Sequence, residues 1–530
     1  MRRWNGWGDD SVDYPLHASS QRFLDSLVGI GARPKQAGLQ ELIKRVPKSR
    51  LHSHPLVSVD PFQRLTHTRG QSFPNWLDLR SGQLDSFPDG VGYPLTDEDV
   101  NELIQYASRH GYQIIPYGGG TSVVGHIDVM KGRKPVLTID MSHMNRLVDL
   151  NATSLQATFM AGVSGPVLES QLRAHGYTLG HYPQSFEYST LGGWIATRSS
   201  GQQSLRYGRI EKLFAGGKIE TPTGTLNIPA FPASAAGPDL REIILGSEGR
   251  LGIITQACVR ISPIPEREDF HAVFFPDFQH GIEAVRQILS YGIQCCMLRL
   301  STAIETSTTL ALAGHENLIG ALERLLSIRG LGEKKCMLLL GFSGKASLVR
   351  AYRSEALDIT SKWGGVHVGK TFGEQWHRNR FKTPYLRNTL WEMGYGIDTL
   401  ETAIDWGKTI QMVDQIESTL RQTMESFNEK VHVFTHLSHV YPYGSSVYTT
   451  YLFRLAATSE DTLSRWQAMK AAASRVIVSL GGTISHQHGI GMDHVPYLPA
   501  EKGPLAIKTI TSLCHQFDPK GMMNPGKLVL

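Results

Sequence analysis

From Thr96 onward the chain alternates between helical and strand-like patterns. Thr96 and Asp99 form a capping pair, and Val100, Leu103, Ile104 and Ala107 follow at three- and four-residue steps. That spacing puts an apolar stripe on one helix face, which Gly111 ends. The apolar run 113–116 predicts a short buried strand, and Gly118-Gly119-Gly120 follows almost at once. Strands are predicted over 135–140 and 155–163, and a helix over 167–175. A long loop rich in glycine, serine and threonine follows over 181–208, and 243–261 is strand-like around Gly246-Ser247-Glu248-Gly249. Beyond residue 265 the alternation resumes, with strands over 269–275, 295–300, 335–342, 431–434 and 446–453. Helices are predicted over 282–290, 348–363 and 459–480, the last closed by Gly481-Gly482. Residues 1–87 are more polar, with scattered tryptophans and short helical patterns. Sheets with helices packed on them are expected, an α+β fold. The division expected is an N-terminal helical segment (1–87), a mixed domain (88–264), a second α+β domain (265–480) and a C-terminal segment (481–530). No internal repeat occurs, which favours two different domains over a duplication.

The length of 530 residues fits two domains. Lys+Arg exceed Asp+Glu by 53 − 48 = 5, a mild bias on this length. It does not argue for nucleic acid, and no nucleic-acid partner is expected; it is compatible with an anionic substrate or a membrane surface. The five cysteines, Cys258, Cys295, Cys296, Cys336 and Cys514, contain no CxxC and read as buried small hydrophobes in a reducing compartment. Arg2 and Arg3 have no apolar run behind them, so no secretory signal is expected, and Leu528-Val529-Leu530 is not a peroxisomal tripeptide. No apolar stretch approaches the roughly 20 residues of a membrane span. A cytoplasmic protein is expected, with docking at the inner face of a membrane left open.

Three glycines after a buried strand expose backbone N–H groups, and such a concave loop can bind phosphate. A plain turn explains Gly118–Gly120 equally well when they are taken alone, and the Rossmann pattern GxGxxG is absent. A second loop runs Pro183-Gln184-Ser185-Phe186-Glu187-Tyr188-Ser189-Thr190-Leu191-Gly192-Gly193-Trp194, continued by Thr197-Arg198-Ser199-Ser200-Gly201. A third is Gly246-Ser247-Glu248-Gly249-Arg250-Leu251-Gly252-Ile253-Ile254-Thr255. In this order and spacing the three resemble the FAD domain of the vanillyl-alcohol oxidase and p-cresol methylhydroxylase superfamily, over residues 88–264. The resemblance implies FAD contacts from Pro116, Tyr117, Gly118, Gly119, Gly120, Thr121 and Ser122. It implies further contacts from Gln184, Ser185, Ser189, Thr190, Gly193, Trp194, Thr197, Arg198, Ser199 and Ser200, and from Glu248, Gly249, Leu251, Gly252, Ile253 and Ile254. Some members attach FAD through a histidine beside the glycine loop. Residues 118–122 hold neither histidine nor cysteine, and His126 reads as an ordinary histidine, so non-covalent FAD is expected.

The match reaches beyond that domain. Trp4-Asn5-Gly6-Trp7-Gly8, Arg64-Leu65-Thr66-His67-Thr68-Arg69-Gly70, Phe381-Lys382-Thr383-Pro384-Tyr385-Leu386-Arg387, Glu401-Thr402-Ala403-Ile404-Asp405-Trp406 and Ser485-His486-Gln487-His488-Gly489-Ile490-Gly491 resemble the alkyldihydroxyacetonephosphate synthase family. The resemblance implies exchange of the acyl group of acyl-dihydroxyacetone phosphate for a long-chain fatty alcohol, through a flavin N5 adduct and without net redox. It implies a homodimer. Tyr448 falls at the family's catalytic tyrosine. A phenol has a pKa of about 10, so a base role needs cationic or hydrogen-bonding neighbours, which His486 and His488 could provide. Arg387 falls at an arginine for the leaving carboxylate, a good match for a planar fork. Arg299, and Gln487 between the histidines, are the other substrate contacts expected. Read without the resemblance, Tyr448 is equally a packed strand residue, Arg387 a surface ion-pair partner and the histidines polar loop residues. Gln487 and Gln184 depart from the family, which carries a third histidine and commonly an acidic residue there.

The competing expectation is an FAD-linked D-2-hydroxy-acid dehydrogenase or oxidase. Phe517-Asp518-Pro519-Lys520-Gly521-Met522-Met523-Asn524-Pro525-Gly526-Lys527 and His488-Gly489-Ile490-Gly491 resemble those enzymes. Some bind a divalent metal through histidines, and His432, His436 and His439 cluster in sequence. On a helix His436 and His439 would converge, on a strand they would not; no metal is expected. A flavin-less binding protein is at odds with three intact flavin loops.

Overall fold

The computed structural model describes residues 1–313 and 316–529. Thr96 accepts from the backbone N–H of Asp99, whose carboxylate accepts from that of Thr96, so the helix Asp97–His110 starts with both orphan donors satisfied. Gly111 ends it with φ 72°, and the strand Gln113–Tyr117 follows. That strand lies parallel to Val136–Asp140 at one edge of a four-stranded sheet. Behind it a five-stranded antiparallel sheet runs in the order Leu147–Asn151, Gln156–Met160, Ile253–Arg260, Phe214–Thr221, Gly224–Ile228. These two sheets make the first half.

The second half is an antiparallel sheet in the order Val366–His367, Arg267–Phe275, Cys336–Gly344, Met297–Ser301, Val431–Leu437, Gly444–Arg454, Tyr395–Asp405, with Val440–Tyr441 paired to Gly444–Arg454. Helices Phe278–Ser290, Ala346–Lys362, Trp406–Glu425 and Ser459–Ser479 cover one face, where Leu400, Ile404, Val433 and Val447 join the main core. The period of two leaves the intervening residues on the opposite face, toward the first half. Register makes that face regular. Glu401 opposes Tyr448, Tyr448 opposes His436, and His436 opposes Ser301, which forms one polar row across four strands. Thr399, Thr450 and Phe434 form the next row, and Ile397, Leu452 and His432 the one after.

The structure departs from expectation where glycine-rich sequence hides helix. Residues 181–208 contain the helices Leu191–Thr197 and Ser204–Tyr207. Residues 243–261 are not strand throughout: Gly246, Glu248 and Gly249 all have positive φ, and the strand starts only at Ile253. The C-terminal helix Leu498–Phe517, bent at Gly503-Pro504, carries no clean apolar stripe because its sequence is broken by Pro499 and Pro504. The chain end returns to the first half, with Met523 bridging to Ile114. Near the start, Trp7 and Asn388 exchange two hydrogen bonds of 3.1 and 2.9 Å, which tie the N-terminal strap to the second half.

Candidate active site

A cavity of about 1030 Å³ lies between the two halves and is lined by both. On the first half the three loops press together so closely that side chains are excluded. A Cβ on Gly118 would lie 2.3 Å from Thr190 Oγ1, one on Gly119 1.8 Å from the Tyr188 carbonyl, and one on Gly120 2.1 Å from the Tyr117 hydroxyl. The glycines are therefore a steric demand of loop packing, and they leave backbone N–H groups bare toward the cavity. Trp194 Nε1 donates to Ser189 Oγ at 2.7 Å, which fixes the second loop. In the third, Glu248 sits at φ 52° and its carboxylate accepts from the N–H groups of Ile490 and Gly491 at 2.5 and 2.9 Å. The amide of Asn524 donates to the carbonyls of Glu248 and His126 at 2.7 and 3.0 Å. The C-terminal segment is thereby latched onto the loops. A wall of open backbone N–H groups and hydroxyls with few charges fits a dinucleotide.

Of the residues expected at FAD, 116–122, Gln184, Ser185, Ser189, Thr190, Gly193, Trp194, Thr197, Ser199, Ser200, Glu248, Gly249, Gly252, Ile253 and Ile254 line the cavity. Two do not. Arg198 turns away to Glu242 and the Leu245 carbonyl, because it ends the helix Leu191–Thr197 at φ 53°. Leu251 packs into the apolar core of the first half.

The polar row forms the other wall. His436 Nδ1 lies 2.9 Å from Glu305 Oε2, and Arg299 donates to Glu305 Oε1 at 2.5 Å. Burial alone would raise the Glu305 carboxyl, but His436 and Arg299 outweigh it and hold it below the usual range. Arg299, expected at the substrate, is thus already neutralised by a buried partner. The Tyr448 ring stacks on His436 at 4.9 Å, with His488 edge-on at 6.0 Å. Burial, then the charge of Glu401, pushes the Tyr448 phenol above its usual range.

His486 is expected to be catalytic, yet it lies behind the wall and does not line the cavity. Its Nε2 is 2.6 Å from Arg209 Nη1 and 2.6 Å from the Tyr441 hydroxyl, and its Nδ1 is 3.1 Å from Glu401 Oε1. Arginine can only donate, so Nε2 accepts and the ring proton sits on Nδ1, donated to Glu401. Burial and Arg209 hold His486 neutral. His488 Nε2 lies 3.5 Å from Glu401 Oε2, and burial lowers its pKa to about 4. Glu401 itself is pushed up to about 8 by burial, against the pull of Arg209. Sequence reasoning gave no role to Glu401 or Arg209. The alternation Ile397, Thr399, Glu401, which puts a carboxylate on the face of Tyr448, was the available signal for Glu401.

His432, His436 and His439 do not form one ligand set. They contact Thr308 Oγ1 at 2.8 Å, Glu305, and Ser200 and Ser204 at 3.2 and 3.1 Å, respectively. Glu401, His439 and His486 bring ligand atoms within 4.8 Å of one another, but the Arg209 guanidinium already occupies the electrostatic place of a cation there.

Arg387 does face the cavity. It donates to the Gln71 carbonyl at 2.6 Å and lies 4.2 Å over the Trp76 ring, while Nε and Nη2 have no partner. Burial lowers its pKa to about 10, which leaves it cationic at neutral pH. Away from the polar row the walls turn apolar through Phe434, Leu452, Ile397, Leu339, Leu386 and Leu390.

Residues 88–227 match the family described as FAD binding domain, and residues 264–528 the family described as FAD linked oxidases, C-terminal domain. The alkyldihydroxyacetonephosphate synthase of Dictyostelium discoideum is 33% identical over 477 residues, 89% of this chain and 78% of that one. The mitochondrial D-lactate dehydrogenase (cytochrome) of Arabidopsis thaliana is 26% identical over 98% of this chain and 87% of its own. A solved alkyldihydroxyacetonephosphate synthase superposes with a TM-score of 0.85 at 28% identity, covering 99% of both chains. A p-cresol methylhydroxylase structure with substrate bound gives 0.68 at 15% identity over 93% of this chain and 98% of that one, a likeness of fold alone. The loops, the α+β architecture and these relatives agree that the chain is an FAD-dependent enzyme, and it belongs to the alkyldihydroxyacetonephosphate synthase family.

Proposed function

We propose that the chain exchanges the acyl group of an acyl-dihydroxyacetone phosphate for a long-chain fatty alcohol, with FAD held non-covalently and no net redox change. One observation carries this reading: a single cavity joins the polar row of Tyr448 to an apolar arm bounded by Phe434, Leu452 and Ile397. A 2-hydroxy acid such as lactate has nothing to bury in that arm. A lipid chain gains about 0.8 kcal/mol for each methylene it buries.

FAD, held by the three loops, supplies the electron-accepting ring that lets a bond beside a ketone be broken and remade. Tyr448 takes the proton next to that ketone. Its raised pKa keeps the phenol protonated at rest, so it becomes a base only once that proton has left, and the rings of His436 and His488 pack against it and fix its position. Arg387 receives the leaving carboxylate on its free Nε and Nη2 edge. Gln487 lines the cavity as a neutral donor and acceptor. His486, Glu401 and Arg209 hold the His488 loop in place. A homodimer and peripheral membrane contact complete the reading. Among the described residues no helix is long and apolar enough to cross a membrane.

The test is direct. FAD-loaded enzyme given palmitoyl-dihydroxyacetone phosphate and hexadecanol should form alkyl product while the flavin stays oxidised. Bleaching of the flavin by D-lactate, with no alkyl product formed, sinks the proposal in favour of a dehydrogenase.

A further inference from the structure

Among the described residues, two guanidinium groups line this cavity without a counter-ion within ion-pair distance. Arg299 is not one of them, since Glu305 neutralises it. The first is Arg387. The second, Arg380, directly follows the helix Thr371–Asn379 and is only 9% exposed. Its Nε and Nη1 have no hydrogen-bond partner, and among the described residues no carboxylate lies within ion-pair distance. The guanidinium lies 4.8 Å over the ring of Phe381, 5.2 Å over Tyr182 and 5.7 Å from Trp376. Those aromatic faces fix its plane and leave its N–H edge for the cavity. Burial draws its pKa down, yet a guanidinium keeps its charge at neutral pH.

A buried cation with no partner is among the least favourable arrangements a fold can carry. It is tolerable where a ligand supplies the opposite charge. Taken with the acyl-exchange reading, on which this inference rests, the charges match. An acyl-dihydroxyacetone phosphate carries one anionic group, the phosphate, and generates a second when its ester breaks and the acyl chain leaves as a carboxylate. Arg387 is held on the Gln71 carbonyl and keeps two adjacent donors, enough for a carboxylate.

We propose that Arg380 is the anion subsite for the phosphomonoester of the substrate. It lies in the gap between the second domain's Trp376 and Phe381 and the first domain's Tyr182, so the phosphate seats where the two halves meet. Its N–H edge donates to two phosphate oxygens side by side, and the rings around it exclude water.

The experiment uses FAD-loaded enzyme with dihydroxyacetone phosphate, inorganic phosphate and dihydroxyacetone as probes, followed by calorimetry and flavin difference spectra. Arg380→Gln should weaken dihydroxyacetone phosphate and phosphate binding tenfold or more, and Arg380→Lys should recover part of that loss. Dihydroxyacetone, which lacks the phosphate, should bind all three proteins alike, and FAD content should not change. In the absence of ligand Arg380→Gln should melt at a higher temperature than the parent, since it removes an unpaired buried charge. Dihydroxyacetone phosphate bound equally by parent and Arg380→Gln overturns the subsite. So does a loss of FAD with phosphate affinity intact, which would assign Arg380 to the cofactor. If phosphate binding depends on Arg380 but no alkyl product forms, the acyl-exchange reading falls and the subsite stands.

Discussion

At the scale of single residues the site is governed by buried charge. Tyr448 and Glu401 oppose each other across two strands, and both hold protons more tightly than usual because burial disfavours their anions. Tyr448→Phe removes only the hydroxyl and should abolish turnover by several orders of magnitude while FAD stays bound; full activity in that variant would remove Tyr448 from the base role. Glu401 carries a pH signature. Its pKa in the folded protein is about 8 against an ordinary 4.5, so between those values the folded state holds a proton that the unfolded state has lost. Stability from this group is therefore greatest below about pH 4.5 and falls as pH rises to about 8. The neutral His486 and His488 act in the opposite sense, but only below about pH 6.5. Asp493, raised to about 7, acts in the same sense as Glu401, so melting temperature measured between about pH 7 and 8 should decline with pH in the parent and flatten in Glu401→Gln. An unchanged slope would mean that Glu401 is ionised in the fold.

At the scale of elements, some of the site can be read from sequence because its cause is local. The glycine run is ambiguous by itself and becomes legible only beside the second loop, since Thr190 and Tyr188 leave no room for a Cβ at Gly118 and Gly119. The capped helix Asp97–His110 announces both of its ends through Thr96, Asp99 and Gly111. What escapes is partner choice. Arg209 and His486 are 277 residues apart, and His486 and Glu401 85 apart, so only the fold brings them together. Arg299, Arg380 and Arg387 look alike in sequence. Which of them is neutralised depends on Thr302, which caps the helix that carries Glu305 back against the strand of Arg299. The loop packing makes its own prediction. Gly119→Ala places a methyl in the Tyr188 carbonyl and should push the loops apart. Purified protein should then lack visible flavin colour, with FAD affinity down on the order of 100-fold, about 2.7 kcal/mol. Normal FAD content in a folded Gly119→Ala protein would mean that the loop can yield.

At the scale of the whole molecule, the sheet of the second half works as a two-zone floor under one cavity. Along the strands Tyr395–Asp405, Gly444–Arg454 and Val431–Leu437, each two-residue step moves from Glu401, Tyr448 and His436 to Thr399, Thr450 and Phe434, then to Ile397, Leu452 and His432. On the proposed reading, chemistry is confined to one end, and lipid chains extend along the other. Chain-length preference should therefore be adjustable without touching the flavin. Leu452 is 3% exposed and lines the apolar zone two rows from Tyr448's immediate neighbours. Leu452→Trp fills space that roughly two methylenes of substrate would occupy, a loss of about 1.6 kcal/mol or somewhat over tenfold. Overpacking itself costs about 1–3 kcal/mol of stability, which a protein of this size can absorb. The ratio of kcat/KM for hexadecanol to that for decanol should fall about tenfold in Leu452→Trp, with the flavin spectrum unchanged. Were the ratio to stay constant while both values dropped together, the alcohol chain would run elsewhere, and the apolar zone would serve only the departing acyl group.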